Sequence, residues 1–123
     1  MKVVYFSLTG QTRRFVNKLN LDSYEVTETN PFYRIEEDFV VVAPTYDIEV
    51  TELMNDFIEY SDNLSHLKGV AGGGNRNFAD LFVFTARDLA KKYNVPMLIE
   101  FEFSGTDLDV SHFKKEVDNI EHN

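Results

Sequence analysis

Short apolar runs alternate with amphipathic segments along the whole chain. Runs rich in β-branched and aromatic residues predict strands at 3–6, 24–28, 39–43, 66–71 and 97–103. Apolar residues at helical spacing predict helices at 12–19, 50–58 and 78–93, and a last helix after Asp107. The last helix is expected to bury the face formed by Val110, Phe113, Val117 and Ile120.

Strands that alternate with helices pair in parallel through right-handed crossovers. We therefore predict a single domain, 1–123, of the α/β class: a three-layer α/β/α sandwich around a five-stranded parallel sheet. The flavodoxin-like strand order 2-1-3-4-5 fits five strands that are connected in this way.

The composition restricts the chemistry that the chain can perform. It contains no cysteine, which excludes disulfides, thiolate catalysis and cysteine-ligated metals, so redox chemistry would need a bound cofactor. The net charge of −9 argues against binding to nucleic acid, which needs a basic face. No apolar run is long enough to span a membrane and no signal peptide opens the sequence, so we expect a cytoplasmic protein.

A hydroxyl-rich turn follows the first predicted strand. Ser7, Thr9 and Thr12 offer three hydroxyl groups, and Gly10 allows a tight turn before the helix. The first turn of a helix presents backbone N–H groups without intrahelical partners and a partial positive charge. Such a segment is often only a connection, but here it lies where α/β folds have their ligand crevice. We predict that it binds the phosphate of flavin mononucleotide (FMN).

Two further loops are expected at the same edge, because all strand-to-helix connections of a parallel sheet leave from one edge. The loop after the third strand carries Tyr46, which can stack on a flat ring. The run Gly72-Gly73-Gly74 is predicted to open the loop after the fourth strand and to let backbone amides approach a ligand. Beside that run are Asn75, Asn77 and Phe78. A flat heteroaromatic ring with a phosphate tail suits these three loops together.

Several blocks of sequence resemble one family. Ser7-Leu8-Thr9-Gly10-Gln11-Thr12 is similar to the phosphate signature of flavodoxins. Together with Gly74-Asn75-Arg76-Asn77-Phe78 and Phe101-Glu102-Phe103-Ser104-Gly105-Thr106, it resembles the NrdI family. That family consists of small flavodoxin-like activators of class Ib ribonucleotide reductase, and the resemblance runs from Lys2 to about Phe113.

The resemblance implies bound FMN, a reductant that supplies electrons to it, and a reduced flavin that reacts with dioxygen. The oxidant, superoxide, would reach the radical-bearing small subunit of the reductase and drive assembly of its metal–tyrosyl radical cofactor. The protein would be a redox activator rather than a turnover enzyme, and it would hold no catalytic metal.

The resemblance also implies a set of cofactor-binding residues in four groups. The phosphate loop is formed by Ser7, Leu8, Thr9, Gly10, Gln11 and Thr12. The loop on one side of the isoalloxazine ring contains Thr45, Tyr46 and Asp47, and the loop on the other side contains Gly73, Gly74, Asn75, Asn77 and Phe78. Phe103, Ser104 and Gly105 match a stretch near the ring or the partner.

Two other functions stay open at this point. A general electron-carrying flavodoxin would differ in its partner and in its behaviour toward oxygen. A binding module that kept the fold and lost the flavin is the third hypothesis, because the loop after the third strand lacks the glycine that many family members have there. No metal site is predicted, since His66, His112 and His122 have no metal-ligand spacing.

Overall fold

The protein is described by a computed structural model that covers residues 1–7, 9–45, 48–75 and 83–122, with the side chains of 48–51 left out. The strands in these ranges are β1 (Lys2–Tyr5), β2 (Ser23–Glu25), β3 (Phe39–Pro44), β4 (Leu67–Gly74) and β5 (Met97–Glu102). The helices are α1 (Gln11–Leu19), α2 (Ile48–Glu59), α3 (Phe84–Tyr93) and α4 (Asp107–Glu121), and a short 3-10 helix covers Asn63–His66. Within the same ranges, no helix is both long and apolar enough to cross a bilayer.

The five strands form one sheet in which every neighbouring pair is parallel. Their order is β2-β1-β3-β4-β5, which confirms the predicted α/β class and the flavodoxin-like order 2-1-3-4-5. All six residues of β3 are buried, as expected for a central strand with helices on both faces. The edge strand β2 is only three residues long and partly exposed.

Side chains of alternate residues divide the core between the two faces of the sheet. On one face, Val3 and Tyr5 of β1 pack with Phe15 of α1 and with Phe113 and Val117 of α4. On the other face, a separate cluster joins Val4 and the β3 residues Phe39 and Val41 to Met54 and Phe57 of α2 and to Leu89 of α3. The architecture is therefore the predicted three-layer sandwich. The apolar face predicted for α4 is confirmed too, with Phe113 and Val117 buried and Val110 and Ile120 partly buried.

The connection from β2 to β3, residues 26–38, contains no helix or strand, and we call it the strap. The side chain of Asn63, fully buried, holds it against the end of α2. The Asn63 Oδ1 accepts a hydrogen bond from the Ile35 N–H, and its Nδ2 donates to the carbonyl oxygens of Tyr33 and Phe57, each at 2.8 Å. Arg34 adds a two-point ion pair to Asp62, at 2.9 and 3.2 Å.

Several predicted boundaries are wrong. The second strand, predicted at 24–28, covers only Ser23–Glu25. The glycine run 72–74 belongs to β4 rather than to a loop, because it pairs with β3 and β5. The helix predicted at 78–93 begins at Phe84, since Val83 has a left-handed φ of 49°, while residues 78–82 lie outside the described ranges. The fifth strand ends at Glu102, because Phe103 also turns into the left-handed region.

Candidate functional site

The chain leaves the two central strands in opposite directions. β1 and β3 are hydrogen-bonded neighbours, and the Phe6 N–H donates to the Val42 carbonyl oxygen just beyond β1, at 3.4 Å. After β1 the chain enters α1 on one face, and after β3 it enters α2 on the other face. A crevice is expected outside the carboxyl ends of the strands at such a point.

The segment between β1 and α1, residues 7–12, forms what we call the phosphate corner; Leu8 lies outside the described ranges. Gly10 precedes the helix with a left-handed φ of 91°. The Ser7 Oγ accepts hydrogen bonds from the backbone N–H groups of Gly10, at 3.2 Å, and Arg13, at 3.3 Å. Ser7 therefore uses its lone pairs to cap the start of α1, and a hydroxyl group that accepts in this way can also donate its proton to a ligand oxygen.

The phosphate corner has room for a ligand at Gly10. A Cβ built on Gly10 would meet no atom of the described residues within 4 Å, so the corner is open on that side. The Thr12 side chain is only 3% exposed, whereas Thr9 is exposed. Hydroxyl groups and the N–H groups of a first helical turn are a donor set that suits a phosphate dianion. The described residues of the corner therefore fit the phosphate end of FMN.

Arg13, the first basic residue of α1, forms an ion pair with the edge strand β2. The guanidinium of Arg13 makes a two-point ion pair with the carboxylate of Glu25 in β2, at 2.7 and 2.8 Å. Arg13 lowers the pKa of Glu25 and Glu25 raises that of Arg13, while burial is the main cause that raises the pKa of Tyr5 beside them. The pair fixes the side of α1 against β2 and neutralises the arginine charge locally.

The loop after β3 is described only in part. Thr45 closes the end of β3 on β4, since its hydroxyl donates to the Gly73 carbonyl oxygen at 2.8 Å. Tyr46 and Asp47 lie outside the described ranges, so their predicted place beside the ring stays a prediction.

Packing accounts for two of the three consecutive glycines. A Cβ on Gly72 would lie 2.5 Å from the Ala86 Cβ and 3.0 Å from the Val83 Cβ, so α3 packs directly on this strand. A Cβ on Gly73 would lie 2.9 Å from the ring of Phe101 on the other face. These contacts could not be predicted from sequence, because they join residues that are far apart in the chain. Gly74 is half-buried at the end of β4 and Asn75 follows it, while Asn77 and Phe78 lie outside the described ranges.

The loop after β5 is tied to α1. The Lys18 Nζ donates to the carbonyl oxygens of Ser104, at 3.2 Å, and Gly105, at 2.9 Å. Gly105 has a φ of 72°, and a Cβ there would lie 2.5 Å from the ring of Phe15. The Phe103 N–H donates to the Gly74 carbonyl oxygen at 3.1 Å, so this loop is also joined to the end of β4. Sequence reasoning missed Lys18, whose two partners lie 86 and 87 residues further along the chain.

One edge of the sheet thus collects the described members of all four predicted groups. They are the corner residues Ser7, Thr9, Gly10, Gln11 and Thr12, then Thr45, then Gly73, Gly74 and Asn75, and finally Phe103, Ser104 and Gly105. The histidines are not among them: His66 contacts Asp38 at 3.2 Å and His122 contacts its own helix. No group of three metal-ligating side chains occurs in the part of the chain that the structure describes.

Comparison with known families decides what kind of protein has this arrangement. The family model described as NrdI flavodoxin-like matches residues 3–115. The chain belongs to the NrdI family. This result confirms the resemblance found in the sequence, and the family is associated with ribonucleotide reductase.

Solved flavodoxins share the fold of this NrdI-family chain. A short-chain flavodoxin associated with a non-canonical PDU bacterial microcompartment superposes with a TM-score of 0.67 at 22% identity, over 98% of this chain and 95% of that chain. The Streptococcus pneumonia TIGR4 flavodoxin gives 0.64 at 21% identity, over 98% and 97%. At these identities the likeness establishes the fold. Fold and family together make the chain a flavodoxin-type flavoprotein.

Proposed function

We propose that this NrdI-family chain binds FMN at the carboxyl edge of its sheet and activates a class I ribonucleotide reductase in the cytoplasm. The bound flavin would supply the redox chemistry, taking electrons from a reductant and giving them to O2. The resulting superoxide would serve the small subunit of the reductase in assembling its metal–tyrosyl radical cofactor.

The observation that carries the proposal is the phosphate corner. A helix start, a left-handed glycine with open space beside it and a capping serine lie together beside the β1/β3 crevice. Four or five charge-assisted hydrogen bonds of about 1.5–3 kcal/mol each could hold a phosphate there without a lysine. In this proposal Ser7, Thr9 and Thr12 donate hydroxyl protons and the first turn of α1 donates backbone N–H groups.

The other groups would hold the ring. Tyr46, with Thr45 and Asp47 beside it, would bound one face of the isoalloxazine, as the family resemblance implies. Asn75, Asn77 and Phe78 would lie on the other side, with backbone from Gly73 and Gly74. Gly73 has no side chain and packing against Phe101 leaves no space for one, so it would contact the ring through its backbone.

Two experiments test the proposal in sequence. Fluorescence titration of the purified protein with FMN should show saturable binding; a protein that stays colourless after incubation with FMN would favour the flavin-free module instead. The loaded protein is then reduced without oxygen and exposed to O2, with and without the purified reductase small subunit and its metal. A tyrosyl radical that appears by electron paramagnetic resonance only when both proteins are present supports activation, whereas absence of any binding to the small subunit refutes it.

A general electron-carrying flavodoxin is the second candidate, favoured by the solved flavodoxins that share the fold. Such a protein would pass electrons to other reductases and would not need the small subunit. Rapid electron transfer to a non-physiological acceptor such as a cytochrome, together with no effect on radical assembly, would select this function.

A further inference from the structure

Phe103 combines a strained backbone with an exposed aromatic side chain. Its φ is 54°, in the left-handed region that is unfavourable for a residue with a side chain. Asn20 and Asn94 have similar angles, but they end helices and belong to the type that tolerates them. Ser61, with a φ of 53°, follows the end of α2. Val83 has φ 49° and is fully buried, so packing offsets its strain. Phe103 is 52% exposed, so burial does not account for the strain in the same way.

The backbone on both sides of Phe103 is held firmly. Lys18 bonds the carbonyl oxygens of Ser104 and Gly105, and Gly105 packs against Phe15. The next residues form a complete capping box: the Thr106 N–H donates to Asp109 Oδ2 at 2.9 Å, and the Asp109 N–H donates to Thr106 Oγ1 at 3.1 Å. These contacts fix the loop in advance, which reduces the ordering cost of any contact that Phe103 makes.

A second exposed apolar residue follows Phe103 five positions later in the chain, and carboxylates flank both. Leu108, in the first turn of α4, is 65% exposed. The loop borders a concavity of about 440 Å³, whose lining includes Phe103 and the carboxylates of Glu102 and Asp109. Glu100 lines it too, but its carboxylate is already paired with the Arg87 guanidinium, at 2.7 and 2.8 Å. None of the described residues that line it is basic. The junction between β5 and α4 therefore presents apolar side chains on an acidic background.

An exposed apolar residue is not by itself unusual on a protein surface. Phe32, 62% exposed, is such a case, and its ring lies 5.7 Å from that of Tyr60, which covers part of it. Phe103 differs because it is strained, firmly held and placed at the carboxyl edge of the sheet, beside the end of β4.

We propose that Phe103 and Leu108 anchor this chain to a protein partner that offers an apolar socket bordered by lysine or arginine side chains. The inference rests on the proposed function and assigns the partner as the reductase small subunit. It places Phe103 at the partner rather than at the ring, and it makes Lys18 a positioning residue that holds the loop for docking. Apolar anchors supply affinity at the centre of an interface, and the acidic surroundings select a partner of opposite charge.

The main test measures the dissociation constant of the FMN-loaded protein for the purified small subunit. Phe103→Asn removes the ring but keeps a residue that tolerates the left-handed conformation, so the loop is expected to fold as before. We expect at least about thirtyfold weaker binding for Phe103→Asn and about tenfold weaker for Leu108→Ser, as for anchor residues of other interfaces. The melting temperature of Phe103→Asn should equal or exceed that of the wild type, because strain is relieved without loss of core.

Matched variants and salt separate this surface from a general effect. Phe32→Asn removes an equally exposed aromatic side chain elsewhere and should leave binding within about twofold. Lys18→Met keeps the length of the side chain and should weaken binding several-fold through the loop, with the FMN affinity unchanged. Raising the salt from about 0.05 M to about 0.5 M should weaken wild-type binding, since charge complementarity at exposed groups is screened.

Each outcome decides between the two proposals. If the wild type binds the small subunit and Phe103→Asn binds within threefold of it, the surface is wrong and the proposed function stands. If Phe103→Asn loses FMN affinity in proportion to partner affinity, Phe103 acts at the ring and the assignment is overturned. If the wild type does not bind the small subunit at all, the proposed function fails and this inference fails with it.

Discussion

Gly10 in the phosphate corner and Gly72 in β4 show two different reasons for a glycine. Gly10 has a φ of 91°, and within 4 Å a Cβ there would meet nothing in the described part of the chain. Gly72 lies inside a strand, and a Cβ there would lie 2.5 Å from the Ala86 Cβ. The first glycine serves the backbone turn and leaves open space, whereas the second lets a helix approach the sheet.

This difference separates binding from folding within one site. Both glycines were predicted from sequence to lie in loops that approach the ligand, but only the first lies in a loop. Changes at the corner should therefore affect FMN affinity more than stability, and a change at Gly72 should do the reverse. Three substitutions test this separation and a fourth tests the packing of α3 alone, in order of decreasing effect.

Thr9→Glu should have the largest effect. A carboxylate about 4 Å from the phosphate would cost roughly 4 kcal/mol at an effective dielectric constant near 20, or about a thousandfold in affinity. Fluorescence titration with FMN measures it, and Thr9→Gln is the neutral control of the same shape. Unchanged FMN affinity in Thr9→Glu would place the phosphate elsewhere.

Gly72→Ala should destabilise the fold by about 2–3 kcal/mol, because the new methyl group would meet Val83 and Ala86 close to their own backbones. The urea midpoint should fall, while the FMN affinity of the protein that remains folded should change little. Wild-type stability in this variant would show that α3 can move away from the sheet without cost. It would then contradict the packing role assigned to Gly72.

Gly10→Ala should cost only about 1–2 kcal/mol of stability, the penalty of a left-handed angle for a residue with a Cβ. Its FMN affinity should nevertheless fall more than tenfold, since the Cβ would project into the space assigned to the ligand. The pair Gly10→Ala and Gly72→Ala is thus a crossed control. If both variants lose stability and affinity in the same proportion, the two glycines have the same role and the distinction fails.

Thr85→Val should have the smallest effect, and it should be stabilising. The Thr85 hydroxyl oxygen, in the first turn of α3, is fully buried and has no hydrogen-bond partner among the residues that the structure describes. Replacing it with a methyl group of the same shape should raise the free energy of unfolding by about 1 kcal/mol. Thermal melts measure the change, and a loss of stability would mean that the hydroxyl has a role in the native state.

Helices and strands could be predicted from sequence where the spacing of apolar residues fitted only one kind of structure. The β-branched run 39–43 could only be a buried strand, and the spacing of Phe113 and Val117 predicted the buried face of α4. The start of α3 was not predictable, because the helical spacing of apolar residues continues through Val83. In the structure Val83 takes a left-handed φ and packs against Gly72, a contact that the sequence pattern does not indicate.

The candidate site was predictable to a different extent. Its location followed from the order of strands and turns, because parallel strands bring their carboxyl ends together. The role of Ser7 was ambiguous in sequence, since the same hydroxyl group can cap a helix or donate to a ligand. The role of Lys18 could not be predicted, because its partners are backbone carbonyl oxygens whose position depends on the completed fold.

The amide of Asn63 has a consequence for how the molecule opens. The strap lacks the repeating backbone hydrogen bonds of a helix, yet two of its own side chains, Val26 and Ile35, are buried. One side chain joins it to the last turn of α2 through three hydrogen bonds. Native-state hydrogen exchange should therefore find the amide of Ile35 and the end of α2 losing protection together, as one cooperative unit at the margin of the sheet.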